Sequence, residues 1–178
     1  MIRAMVNPLA IFHLGLGGEV ALAAYVFPLV MAGVTDFRSL RIPNWLTAGL
    51  ALAFPLAALV AGQPVDWLSH LEAGAIVFAG SAVLFAFRIM GGGDVKLLSA
   101  TALWLGLGQV MPFLFMVALV GGVFAIACLA LRHPLVQTTI LATMRRLPAF
   151  AQKKMPIPYG IPIAIAGLLM APVLPILT

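Results

Sequence analysis

Charge is what this chain has least of. Asp, Glu, Lys and Arg together make up 8% of it, and only five of its 178 residues are acidic. A soluble domain needs a charged surface, and a sequence that is 63% hydrophobic with a mean hydropathy of +1.15 cannot supply one. Cysteine is nearly absent as well. The single Cys128 excludes an internal disulfide and any paired-cysteine metal site, and within its apolar run it reads as packing. The net charge of +5 does not point to nucleic acid, because basic residues in so apolar a chain mark cytoplasmic loops.

Several apolar runs are long enough to cross a hydrocarbon core, which takes about 20 helical residues. The expected fold class is therefore all-α: a polytopic integral membrane protein of about six transmembrane helices, one membrane-embedded domain over residues 1–178, with the lipid bilayer as its principal partner. The first residues carry Arg3 and no clear cleavage site follows them. Spans are expected at about Leu14–Thr35, Trp45–Ala61, Leu68–Met90, Asp94 or Val95 to Leu107, Met111–Leu131 and Ile157–Leu177. Asp36 to Asn44 reads as a polar loop in which Asn44 caps the next helix or Pro43 occupies its first turn. The fourth span is short, and Gly108 and Pro112 are expected to separate it from the fifth. His133 to Lys154, with apolar residues at near-helical spacing and several basic ones, reads as a helix lying in the membrane interface.

Basic residues orient this layout. Arg38, Arg41, Arg88, Lys96, Arg132, Arg145, Arg146, Lys153 and Lys154, nine of the ten, fall on one face of a six-span arrangement. That face is expected to be cytoplasmic, with both termini outside.

The scarce acids then separate. Asp36 and Asp94 fall at the cytoplasmic boundary, whereas Glu19, Asp66 and Glu72 fall toward the outer one. Ionisable groups beside spans are costly and are candidates for function. Asp94 ends the run Gly91-Gly92-Gly93-Asp94. Its plain role would be to cap the following helix after a glycine stop, and the same turn would let an extended substrate backbone approach Asp94. Two aspartates sharing a proton can act as general base and general acid on a peptide bond with no metal and no cofactor. The plain alternative is that Arg38 neutralises Asp36 as a simple ion pair. Asp94 at a helix start and Asp36 at a helix end would make Asp94 the more acidic member, unless Arg38 or Arg41 reverses the order. His13, Glu19, His70 and Glu72 match no metal-ligand spacing.

Three motifs in order carry a resemblance. Asp36-Phe37-Arg38-Ser39-Leu40-Arg41-Ile42-Pro43-Asn44 resembles the first-aspartate region of the type IV prepilin peptidases. Gly91-Gly92-Gly93-Asp94-Val95-Lys96-Leu97-Leu98 is similar to their G-x-G-D region, and Pro158-Tyr159-Gly160-Ile161-Pro162 resembles the entry to their last span. The resemblance implies an aspartyl endopeptidase of the bacterial inner membrane. It would cut the leader from prepilins and pseudopilins at the cytoplasmic face, with Asp36 and Asp94 catalytic and no cofactor. Gly91, Gly93, Lys96, Arg38 and Asn44 would bind substrate or support the pair. The larger bifunctional members carry a cytoplasmic insertion, often with paired CxxC motifs, and also N-methylate the new amine. This sequence has neither feature, so methyl transfer is not expected, and its size is similar to the stand-alone peptidases of tight-adherence (Flp) pili.

Three other readings compete. A presenilin or signal-peptide-peptidase type of protease shares G-x-G-D but pairs tyrosine with its first aspartate, where this chain has Thr35 before Asp36. A small proton-coupled transporter would place acids at the bilayer midplane on broken helices. A non-catalytic assembly subunit would survive loss of either aspartate.

Overall fold

The computed structural model describes residues 15–62, 64–133 and 157–177. Six α-helices lie among them: α1 Leu16–Ser39, α2 Asn44–Ala61, α3 Trp67–Ala86, α4 Gly92–Leu105, α5 Leu107–Leu131 and α6 Gly160–Leu169, the last followed by a 3₁₀ turn at Ala171–Val173. The described residues contain no strand. The segment expected to form an interfacial helix lies outside the described residues beyond His133, which is an exposed bend.

α1, α2, α3 and α5 are long and apolar enough to cross a membrane. Their outward faces carry large apolar side chains, such as Leu59 on α2 at 73% and Met111 on α5 at 74% exposure. A solvated protein would cover such a surface; lipid requires it. The chain is an all-α, multi-pass membrane protein.

α4 and α6, with 14 and 10 residues, are shorter than a full span. α4 is the centre of the bundle and lies against α2, α3, α5 and α6. Its most buried residue, Trp104, is fully enclosed and donates its indole N–H to the Leu50 carbonyl on α2 at 2.8 Å. Tyr25 from α1 and Phe54 from α2 meet that ring at centroid distances of 5.2 and 5.7 Å, within the range of favourable aromatic pairing. α4 can carry polar residues through this core because their hydroxyls bond its own backbone. Ser99 donates to the Val95 carbonyl at 2.7 Å and Thr101 to that of Leu97 at 2.8 Å. Tyr25 ties α1 to α6 through a 2.9 Å bond to the Gly167 carbonyl.

Four boundaries differ from expectation. α1 runs past Thr35 to Ser39 and ends at Leu40, in the left-handed conformation with φ 54°, so Asp36 belongs to the last helical turns rather than to a loop. Asn44 opens α2 without capping it: Pro43 is the N-cap residue, and the Asn44 amide oxygen accepts from Lys96 Nζ at 2.9 Å. α3 stops at Ala86, four residues early. The break between α4 and α5 falls at Gly106, φ 70°, and α5 contains Pro112. The positive φ at Gly106 favours glycine, and a Cβ there would touch Ser69 Oγ at 3.3 Å and the His70 ring in ordinary contact. Ser69 Oγ accepts the Leu107 N–H at 3.0 Å, and His70 Nδ1 lies 2.7 Å from the Leu103 carbonyl. The start of α3 thus clamps the α4–α5 junction at the end of the bundle away from Asp36.

Candidate active site

Asp36 is brought to its neighbours by the extra turn of α1. It is 5% exposed, yet its carboxylate is not left unpaired. Oδ2 accepts the backbone N–H of Gly160, the first residue of α6, at 2.8 Å, and the next amide, of Ile161, is also directed at it. Asp94 is the third residue of α4, and its carboxyl turns back to the backbone of Gly91, the N-cap residue. This is the geometry of a capping box, in which the N3 side chain satisfies the N-cap amide. Asp94 therefore closes its own helix start, from the third position rather than from the cap itself.

Both carboxyl groups line one cleft of about 620 Å³, walled by Leu40, Phe85, Arg88, Met90 and Tyr159 among others. The two aspartates come from helices separated in sequence by α2 and α3 and are united by the bundle. In the same cleft lie the two non-glycine residues with positive φ among those described, Leu40 at 54° and Arg88 at 59°. Both belong to the turns that follow α1 and α3, and such backbones cost energy that surrounding structure must hold.

The glycines before Asp94 also serve packing. Gly91 has φ −73°, and none of the three is left-handed. Gly93 instead admits a neighbour: a side chain there would meet Ile42 Cβ at 3.1 Å. The Ile42-Pro43 turn, which follows α1, can therefore pack on the first turn of α4, where Asp94 stands.

Of the supporting residues expected from sequence, Gly91 lines the cleft and Gly93 faces Ile42. Lys96 and Asn44 are bonded to each other beside a second groove between α2, α3 and α4. Arg38 faces a third groove, between α1 and α6, rather than the cleft. Glu19 and Glu72 are exposed on α1 and α3, and among the described residues no three His, Cys, Asp or Glu side chains cluster. The residues that sequence reasoning did not assign to the site are Arg88, Leu40 and the start of α6. The motif containing Gly160 was visible, but nothing in it says which carboxylate its amides face. The helix-dipole argument also changes. Asp36 leaves the C-terminal end of α1 only to place its carboxylate at the N-terminal end of α6, so both acids sit at positive helix ends.

The sequence model of the type IV leader peptidase family matches residues 23–126, more than half of the chain and including both aspartates. The chain belongs to the type IV leader peptidase family. The peptidase has no significant match among curated proteins or solved structures. The matched stretch begins within α1 and ends within α5, so α6 of this peptidase, with the amides that hold Asp36, lies beyond it.

Proposed function

We propose that this peptidase cuts the leader from type IV prepilins or pseudopilins at the cytoplasmic face of the bacterial inner membrane, with Asp36 and Asp94 as its catalytic pair. One observation carries the reading: two carboxyl groups from distant helices share a single cleft at the end of the bundle where Arg38, Arg41, Arg88 and Lys96 lie. That charge bias supports a cytoplasmic orientation. In the reaction, the ionised aspartate takes a proton from water while the oxygen adds to the scissile carbonyl carbon. The protonated aspartate donates to the carbonyl oxygen, giving a gem-diol; as the C–N bond breaks, the leaving nitrogen takes the proton that the first aspartate gained from water, and the second aspartate recovers its proton from a gem-diol hydroxyl as the carboxyl group forms. The products are the leader's carboxylate and a free amine on the pilin.

The depth of the site suits this chemistry. α4 rises roughly 21 Å at about 1.5 Å per residue, against a hydrocarbon core of about 30 Å. The cleft supplies the opening through which water and an extended backbone reach Asp94. A basic leader held at the cytoplasmic rim and an apolar segment in the bilayer would bring the junction between them to this depth. Without paired cysteines among these residues, N-methylation of the new amine is not expected, as in the stand-alone Flp-type members that the chain resembles.

Two tests address face and chemistry separately. Reporter fusions after Arg41, at Gly92 and within 138–154 are expected to read cytoplasmic, and fusions at Gln63 and after Thr178 to read outside; a cytoplasmic C-terminus would contradict the orientation. Chelation of divalent metal in detergent is expected to leave cleavage within about twofold of its starting rate, because two carboxylates complete the acid–base cycle alone. Activity lost to a chelator and restored by zinc would refute that mechanism.

A further inference from the structure

The one charged side chain of the cleft that is almost wholly enclosed, Asp36, depends on a residue 124 positions away. Gly160 stands at the first position of α6, where the N–H groups of a helix have no partner inside the helix. Its N–H meets Asp36 Oδ2 at 2.8 Å. The fit leaves no room for a side chain: a Cβ on Gly160 would lie 2.8 Å from that oxygen, 3.0 Å from Asp36 Cγ and 2.7 Å from Ile42 Cδ1. Carboxylate, amide and the Ile42 turn therefore close around one point, and glycine is required there for space and not for φ.

We propose that Gly160 is a positioning residue for peptide hydrolysis: its amide, with that of Ile161, holds Asp36 as the ionised member of the pair, so that Asp36 is the base and Asp94 carries the shared proton. A carboxylate at a helix N-terminus that accepts backbone N–H groups is favoured in its charged form. Asp36 is directed toward two such donors and Asp94 toward one, at Gly91. The other charged or titratable groups facing Asp36 are Asp94 from α4, Arg88 from the turn after α3 and Tyr159 from the start of α6. Arg41, in the turn after α1, is exposed, and Arg38 faces the groove on the other side of α1. Asp94 disfavours a second charge beside it, which is why one proton stays with the pair.

This inference rests on the reading of Asp36 and Asp94 as the reacting pair, and the test separates the two. Two variants are compared with the wild-type peptidase in full pH–rate profiles on a pilin-like precursor. Gly160→Ala inserts the Cβ described above. Replacing Gly160 by glycolic acid, which makes a backbone ester, removes the N–H without adding a side chain and also weakens the Tyr159 carbonyl that accepts the Ile163 N–H at 3.2 Å. Both are expected to lower kcat roughly ten- to a hundredfold with KM little changed, the range of one hydrogen bond to a charged group. Both are also expected to move the acidic limb of the profile upward by about one pH unit, since a base with fewer donors ionises later. Gly167→Ala is the structural control. Also on α6, it crowds Leu29 and Tyr25 of α1 and Thr101 of α4, at 3.0–3.3 Å, and is expected to lower stability without moving the limb. If Gly160→Ala does not fold, the ester decides alone. An ester variant with wild-type kcat and an unmoved limb would overturn the proposal, as would an equal shift in Gly167→Ala. Cleavage that persists in Asp36→Asn or Asp94→Asn would defeat the underlying reading of the pair instead.

Discussion

Asp36→Asn and Asp94→Asn are each expected to reduce leader cleavage by about 10³-fold or more, the scale on which groups acting as a unit fail when one is removed. Asparagine keeps the size of the side chain and an oxygen that can accept the Gly160 N–H, so the bundle should assemble and insert normally. What it loses is the ability to hold or release a proton, and neither half of the acid–base cycle runs with one partner inert. Asp66→Asn is the matched control. Asp66 caps α3 by accepting the Ser69 N–H at 3.2 Å, a role asparagine performs equally well, and it lines a cavity at the opposite end of the bundle. Its variant is expected to cleave at the wild-type rate. Rates measured on membranes with immunoblot-matched protein levels check all three, and full activity in either Asp36 or Asp94 variant would end the proposed mechanism.

Trp104→Ala is expected to have the largest effect on stability, about 3–5 kcal/mol, the usual cost of emptying the site of a buried large aromatic. Trp104 is completely enclosed where α1, α2 and α4 meet, and its loss would remove the contacts with Tyr25 and Phe54 together with the bond to Leu50. The ring sits at the far end of α4 from Asp94, so the variant should unfold at lower temperature in detergent while any folded fraction retains its cleft. A thermal unfolding midpoint within about 2 °C of wild type would show that α4 is not the centre of the packing.

Much of this arrangement can be read from residues alone, and the failures have physical causes. Apolar runs located the four long helices because lipid exposure demands unbroken apolar faces. α4 was recognisably short, but its Ser99 and Thr101 give no hint that it is the most enclosed helix, because their hydroxyls are satisfied within the helix itself. The stretch after Thr35 looked like a loop because it is polar. It is helical because nothing in it breaks a helix before Leu40, and because the carboxylate that would oppose burial is met from α6. Three consecutive glycines marked the start of α4, but they did not show that the positive φ values of non-glycine residues would fall on Leu40 and Arg88, nor that Gly93 is small to admit Ile42. Asn44 and Lys96, grouped with the aspartates by motif, turn to each other beside a different groove. Contacts between elements far apart in sequence decide each of these points, and no local pattern encodes them.

The most direct measurement is the mass of the products when the purified peptidase, in detergent or vesicles, meets a precursor with a basic leader followed by an apolar segment. The account predicts one cut, at the junction of leader and apolar segment, giving an intact leader and a pilin with a free, unmethylated amino terminus, and no cut with Asp36→Asn or Asp94→Asn. Cleavage within the apolar segment, or equal cleavage by the asparagine variants, would contradict it.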